Sequence, residues 1–68
     1  MKPGEAAADP LRRLRHDLAN PLSALLTETQ LLLLDEPAMP AEIARGLHEI
    51  EALARRMRDI LAASRDQG

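Results

Sequence analysis

Leu31-Leu32-Leu33-Leu34-Asp35-Glu36-Pro37-Ala38-Met39-Pro40 is the stretch where the chain turns. A run of leucines gives way to two acidic residues and then two prolines, Pro37 and Pro40. Proline has no N–H to continue an α-helix and pushes the residue before it out of the helical region. Pro40 suits the first position of a new helix, where its missing N–H would be unpaired in any case. Glu42 then falls in the first turn, where negative charge meets the positive end of the helix dipole. The reading is a loop over 35–39 between a helix over 10–34 and a helix over 40–65. So short a connection makes the two helices antiparallel neighbours.

Working outward, Asp9 can cap the first helix and Pro10 can open it. Residues 1–9 read as a flexible N-terminal tail and 66–68 as a frayed C-terminus. The first helix places Leu11, Leu14, Leu18, Leu22, Leu25, Thr29 and Leu32 at steps of three and four. The second places Ile43, Leu47, Ile50, Ala54, Met57, Leu61 and Ser64 in strict alternation of four and three. Both are seams for a partner helix. Leu26 and Leu33 flank the first seam, and Leu53 and Ile60 the second. Each apolar face is therefore wide enough for two neighbours. The expected fold is all-α: an antiparallel two-helix hairpin that dimerises into a four-helix bundle. Gly46 interrupts the second helix at a cost of about 1 kcal/mol against alanine; it either admits a close helix neighbour or carries no role.

Composition agrees. The chain has 68 residues, 46% of them hydrophobic, with no aromatic residue and no cysteine. A domain this short buries roughly 60% of its unfolded surface and needs a staple. Without cysteines there is no disulfide, and without a Cys/His cluster there is no zinc site, so oligomerisation is the expected staple. The cysteine-free chain fits a reducing compartment. A net charge of -2 and the lack of stacking aromatics argue against a nucleic-acid partner. Apolar runs reach only four residues, as in Leu31 to Leu34, far too short to span a bilayer. The residues after Met1-Lys2 do not read as a signal peptide, and the expected location is the cytoplasm.

The chemistry concentrates in Leu14-Arg15-His16-Asp17-Leu18-Ala19-Asn20-Pro21-Leu22-Ser23-Ala24-Leu25. His16 sits two residues from both Leu14 and Leu18, so it points away from the seam, and Asn20, Ser23 and Thr27 follow it on the same face. An outward imidazole among short side chains can be reached by a large partner. A histidine nucleophile needs one ring nitrogen unprotonated and the other held as N–H, and an adjacent carboxylate can do the holding. Asp17 is that carboxylate. The Asn20 amide can orient a water or an oxyanion. Pro21, inside the helix, removes a backbone bond and leaves the Asp17 carbonyl without its donor, which bends or loosens the helix beside His16.

His16-Asp17-Leu18-Ala19-Asn20-Pro21-Leu22 resembles the H-box of the histidine kinase dimerisation and histidine phosphotransfer family: His, Asp or Glu, an apolar residue, a variable residue, Thr or Asn, Pro, Leu. The second helix is similar too, ending in Arg56-Met57-Arg58-Asp59-Ile60-Leu61 and Ser64-Arg65. The resemblance spans about residues 10–65. Ala19 departs from it, since many members carry Arg or Lys there. The resemblance implies that His16 takes the γ-phosphoryl of ATP and passes it to a response-regulator aspartate. It makes Asp17 the base or orienting carboxylate, Asn20 the residue that positions water for dephosphorylation of the regulator, and Pro21 the bend used in signalling. The implied partners are a second copy of the chain, a receiver domain and a histidine kinase ATP-binding domain.

No glycine-rich segment exists to cradle phosphates: the glycines are Gly4, Gly46 and Gly68. ATP and magnesium are therefore expected on a separate catalytic domain, with no cofactor held by these residues. The chain is then either a piece of a longer kinase or a stand-alone phosphotransfer protein. Against the phosphoacceptor reading stands a purely structural dimerisation hairpin of the same shape. His48 has no comparable context and reads as a solvated side chain, as do Arg12, Arg13, Arg15, Arg55, Arg56 and Arg58. Met57, at a seam position, reads as core.

Overall fold

The computed structural model describes the backbone of residues 3–67 and the side chains of residues 10–64. It is a helical hairpin: α1 over Pro3–Leu33, a 3-10 turn over Glu36–Ala38, and α2 over Ala41–Gln67. Among the described residues there is no strand, and the chain is all-α.

Helix α1 starts seven residues before Pro10. Pro3–Asp9 are helical, where a flexible tail was expected over 1–9; Met1 and Lys2 lie outside the described residues. Ala6, Ala7 and Ala8 have the highest helix propensity of any residue type and carry the helix backward. Pro3 takes the tolerated first position instead of Pro10. Both Pro10 and Pro21 are interior, so the Ala6 and Asp17 carbonyls each lack their usual donor. At the other end α2 continues to Gln67, past the expected Arg65; Gly68 lies outside the described residues.

The turn follows from its prolines. The last carbonyls of α1 are closed by tight bonds, Leu34 N–H to the Leu31 carbonyl at 3.2 Å and Asp35 N–H to the Leu32 carbonyl at 3.1 Å. The 3-10 turn is held by Ala38 N–H to the Asp35 carbonyl at 2.9 Å and Met39 N–H to the Glu36 carbonyl at 3.1 Å. Met39 is extended, with φ -104° and ψ 156°, as a residue before proline must be. The Pro40 carbonyl then receives the N–H groups of Ile43 and Ala44 at 3.0 and 3.1 Å, which launches α2. Pro40 is thus the cap, and Ala41 the first helical residue.

The seam between the helices is narrower than the apolar faces, and it is turned relative to the expected phase. Leu22, Leu26 and Ala54 form its buried cluster, with Leu61 packed against them. Thr29 and Ala44 are buried, and Arg15, Ala19, Leu33, Leu47 and Glu51 are half-buried. On α1 the contact runs Ala19, Leu22, Leu26, Thr29, Leu33, so Leu26 and Leu33 belong to it. Leu11, Leu14, Leu18, Leu25 and Leu32 stay exposed, and so do Ile43, Ile50, Leu53, Met57 and Ile60 on α2. Met57 is therefore not core in the single hairpin. The reason is steric. Two helices joined by a short turn pack most tightly where side chains are small, and Ala54, only 1% exposed, is the most buried of the described core residues. Thr29 is tolerated there because its hydroxyl donates to the Leu25 carbonyl at 2.7 Å. No helix among the described residues is long and apolar enough to cross a membrane.

Candidate functional site

His16 lies in the first half of α1, five residues before Pro21. Its side chain is 74% exposed and that of Asp17 is 66% exposed. At 100° of rotation per residue, His16 is roughly 180° round the helix from Leu25 and a similar angle from the whole exposed leucine stripe. It is roughly 100° from the middle of the hairpin seam. Asn20, Ser23 and Thr27 follow it along α1 and are exposed as well. The three residues singled out for chemistry, His16, Asp17 and Asn20, thus occupy one stretch of open helix surface of just over one turn.

The His16 Nδ1 is 3.8 Å from the Asp17 Oδ1. This is beyond hydrogen-bond range, so the expected hold of the carboxylate on the ring N–H is not made directly in this conformation. It is near enough for an ion pair with a protonated ring, or for a bridge through one water. Both groups are open to solvent, so screening keeps the interaction weak until a partner covers it. Nε2 is the ring nitrogen farther from Asp17.

Three arginines surround this histidine. Arg12, Arg15, His16 and Ala19 line one shallow hollow, and Arg12, Arg13, His16 and Asp17 line another beside it. Periodicity alone placed these arginines on a solvated face. Spacing of four and three before His16 sets Arg12 and Arg13 next to it on a helix; Arg15, immediately before it, joins the site through the hollow that it lines with Arg12 and Ala19.

His48 presents the opposite environment. Its Nε2 is 2.8 Å from the Glu36 Oε1, and its Nδ1 is 3.9 Å from the Glu51 Oε1. Glu51 in turn accepts from Arg55 Nη2 at 3.2 Å. His48 is therefore half-exposed and tied to the 3-10 turn rather than simply solvated. It also lines an open depression at the loop end, with Leu33, Glu36, Pro37, Met39, Ala44 and Arg45. Both of its ring nitrogens face carboxylates. No group of three or more His, Cys, Asp or Glu side chains that could hold a metal ion occurs among the described residues.

A scan against family models, a search of curated proteins and a search of solved structures each return no match to this chain.

Proposed function

We propose that this hairpin is the dimerisation and phosphoacceptor module of a two-component signalling system, working in the cytoplasm. The observation that carries the reading is the placement of His16. It is an open imidazole with a carboxylate beside it, and it sits on the side of α1 away from the exposed leucine stripe. A second copy that covered the stripe would leave His16 free for other domains. The seven-residue box around it, His16 to Leu22, supports the same reading through its resemblance to the histidine kinase phosphotransfer family.

The exposed stripes call for a second copy. Leu18, Leu22, Met57, Ile60 and Leu61 line a cleft along the hairpin that is almost wholly apolar. With Leu11, Leu14, Leu25, Leu32, Ile43, Ile50 and Leu53 it makes a face far larger than the buried seam. Two such faces packed about a two-fold axis close a four-helix bundle.

In the proposed reaction the His16 Nε2 lone pair attacks the γ-phosphorus of ATP, which a separate domain binds with magnesium. An N–P bond forms, the P–O bond to ADP breaks, and the Nδ1 proton passes toward Asp17. A receiver-domain aspartate oxygen later attacks the same phosphorus; the N–P bond breaks and the imidazole recovers its proton. Asn20, one turn beyond His16, orients a water against the phosphorylated receiver when the module works in reverse. In that setting Asn20→Ala slows dephosphorylation of the receiver and leaves His16 phosphorylation largely intact.

The test is to mix the chain with a histidine kinase ATP-binding domain and labelled Mg-ATP, or with a phosphorylated receiver run in reverse. Label is expected on His16, stable in base and labile in acid as a phosphoramidate is. It disappears in His16→Gln and survives in His48→Gln. Label that persists without His16, or a chain that no kinase domain or receiver ever labels, would hand the assignment to the structural dimerisation hairpin.

A further inference from the structure

We infer that Arg12 and Arg15 form an oxyanion site that receives the phosphoryl group on His16, with Ala19 providing its floor. The inference deepens the proposed function and rests on His16 being the phosphoryl carrier. It is drawn from the two hollows beside His16 and from the contrast with His48.

Of the two hollows, one is bounded by Arg12, Arg15, His16 and Ala19 and contains no acidic group. The other includes Asp17 along with Arg12 and Arg13. A dianionic phosphoryl group is repelled by the Asp17 carboxylate and attracted by guanidinium, so the first hollow is the one it enters. Arginine suits the task because its planar fork of N–H donors matches the spacing of phosphoryl oxygens. Arg12 stands one turn before His16, and Arg15 lines the same hollow, so both border the space beside the ring. A long side chain at position 19 would fill the hollow from the other end; alanine leaves it open.

His48 supplies the internal control. It is a second accessible histidine in the same small chain, 51% exposed, but its ring nitrogens face Glu36 and Glu51. Arg55, which could have offset them, is engaged by Glu51 at 3.2 Å. Arg45 also lines the depression at His48, but there one arginine faces two carboxylates, whereas at His16 three arginines face the single carboxylate of Asp17, so an anionic phosphoryl donor meets the more cationic approach at His16. No kinase is needed for this difference to act.

Phosphoramidate is a small anionic reagent that tests the point on the whole chain. The imidazole nitrogen attacks phosphorus, the N–P bond to the leaving group breaks, and that nitrogen departs with a proton as ammonia. Phosphorylation of each histidine is followed by ³¹P NMR and site-resolved mass spectrometry. His16 is expected to react several-fold faster than His48, and the gap to shrink as salt is raised. Arg12→Gln, an exposed change away from the seam, slows His16 by about two- to five-fold, the scale of an exposed ion pair, and leaves His48 unchanged. Arg12→Lys keeps most of the rate. Arg15→Gln acts in the same direction, with circular dichroism confirming that the half-buried position still folds. Arg13→Gln has the smaller effect. Equal rates at the two histidines, no change in Arg12→Gln, or equal loss in Arg13→Gln would each overturn the assignment. The kinase-domain experiment stays separate: if a kinase domain labels His16 yet the arginine variants behave as wild type, only the oxyanion site is lost. If the arginine effects hold while no kinase domain or receiver labels the chain, the proposed function is lost.

Discussion

Two apolar strips run side by side along each helix, and they differ in the size of their side chains. The inner strip, which joins α1 to α2, holds Ala19, Leu22, Leu26, Thr29 and Leu33 against Ala44, Leu47, Glu51, Ala54 and Leu61. The outer strip holds Leu11, Leu14, Leu18, Leu25 and Leu32 with Ile43, Ile50, Leu53, Met57 and Ile60, all exposed in the single chain. The contact made inside one chain mixes leucines with small and polar residues, and the contact still open holds large aliphatic residues alone. Burial contributes roughly 25 cal/mol per Å², so most of the available hydrophobic stabilisation lies on the outer strip. The hairpin sets the geometry, and the second copy proposed above supplies most of the burial.

The largest effect tests the inner strip. Ala54 is 1% exposed in the seam between the helices. Ala54→Glu forces a long, charged side chain into a site with no room for it, at a cost of about 3 kcal/mol or more. The helical circular dichroism signal should collapse at neutral pH at every protein concentration. A variant that keeps wild-type helicity would show that the seam is not where the hairpin is held.

A change of the same chemistry on the outer strip should read differently. Leu18 is 47% exposed in the single hairpin and lines the apolar cleft with Met57 and Ile60. Leu18→Glu costs the single hairpin little, but places two charges in the proposed dimer interface. Sedimentation equilibrium at micromolar concentration should show twice the 7.5 kDa chain mass for the wild type and the monomer mass for the variant. Helicity of the variant should fall with it, because the monomer lacks the burial that a chain of this length needs. If the wild type is itself a well-folded monomer at these concentrations, the division of labour between the strips fails.

The contrast also explains what could be read from the sequence. The two helices and the turn were legible because prolines at 37 and 40 and heptad steps leave few alternatives. The phase of the seam was not. An apolar arc covering about half of a helix does not say which edge faces the neighbour in the same chain. That choice is made by close packing at Ala44 and Ala54, which counts small residues rather than large ones. The start of α1 was misplaced for a related reason: Pro10 resembles a first-turn proline, but Ala6–Ala8 extend the helix past it to Pro3. At the candidate site the exposure of His16, Asp17 and Asn20 follows directly from their offset from the leucines. The tie between His48 and Glu36 does not, because it joins residues twelve apart across a turn whose shape the sequence leaves open. The hollow at Arg12, Arg15 and Ala19 was readable in principle from i, i+3 and i+4 spacing, once the arginines are treated as neighbours of His16 and not as a generic charged face.

Gly46 gives the smallest effect and the finest test of the two strips. It lies inside α2, three residues after Ile43 and four before Ile50, and so on the side of the exposed strip. A methyl group built on it would meet nothing within 4 Å in the single chain. Nothing within the hairpin therefore requires glycine, and its backbone freedom is a cost to the helix. Gly46→Ala should favour the helical state of the isolated chain by about 1 kcal/mol, read as a gain in helical circular dichroism at a dilution where the chain is monomeric. At higher concentration the outcome depends on how the second copy packs. If the outer strips meet at ordinary helix spacing, the same gain appears in the dimer and its dissociation constant does not change. If the helices cross closely at Gly46, the added methyl groups hold them apart. The dissociation constant then rises even as the hairpin gains stability. Opposite signs in the two measurements would make Gly46 the point of closest approach between chains, the counterpart on the outer strip of Ala54 on the inner one. Matching signs would leave it a dispensable glycine on a half-buried helix turn.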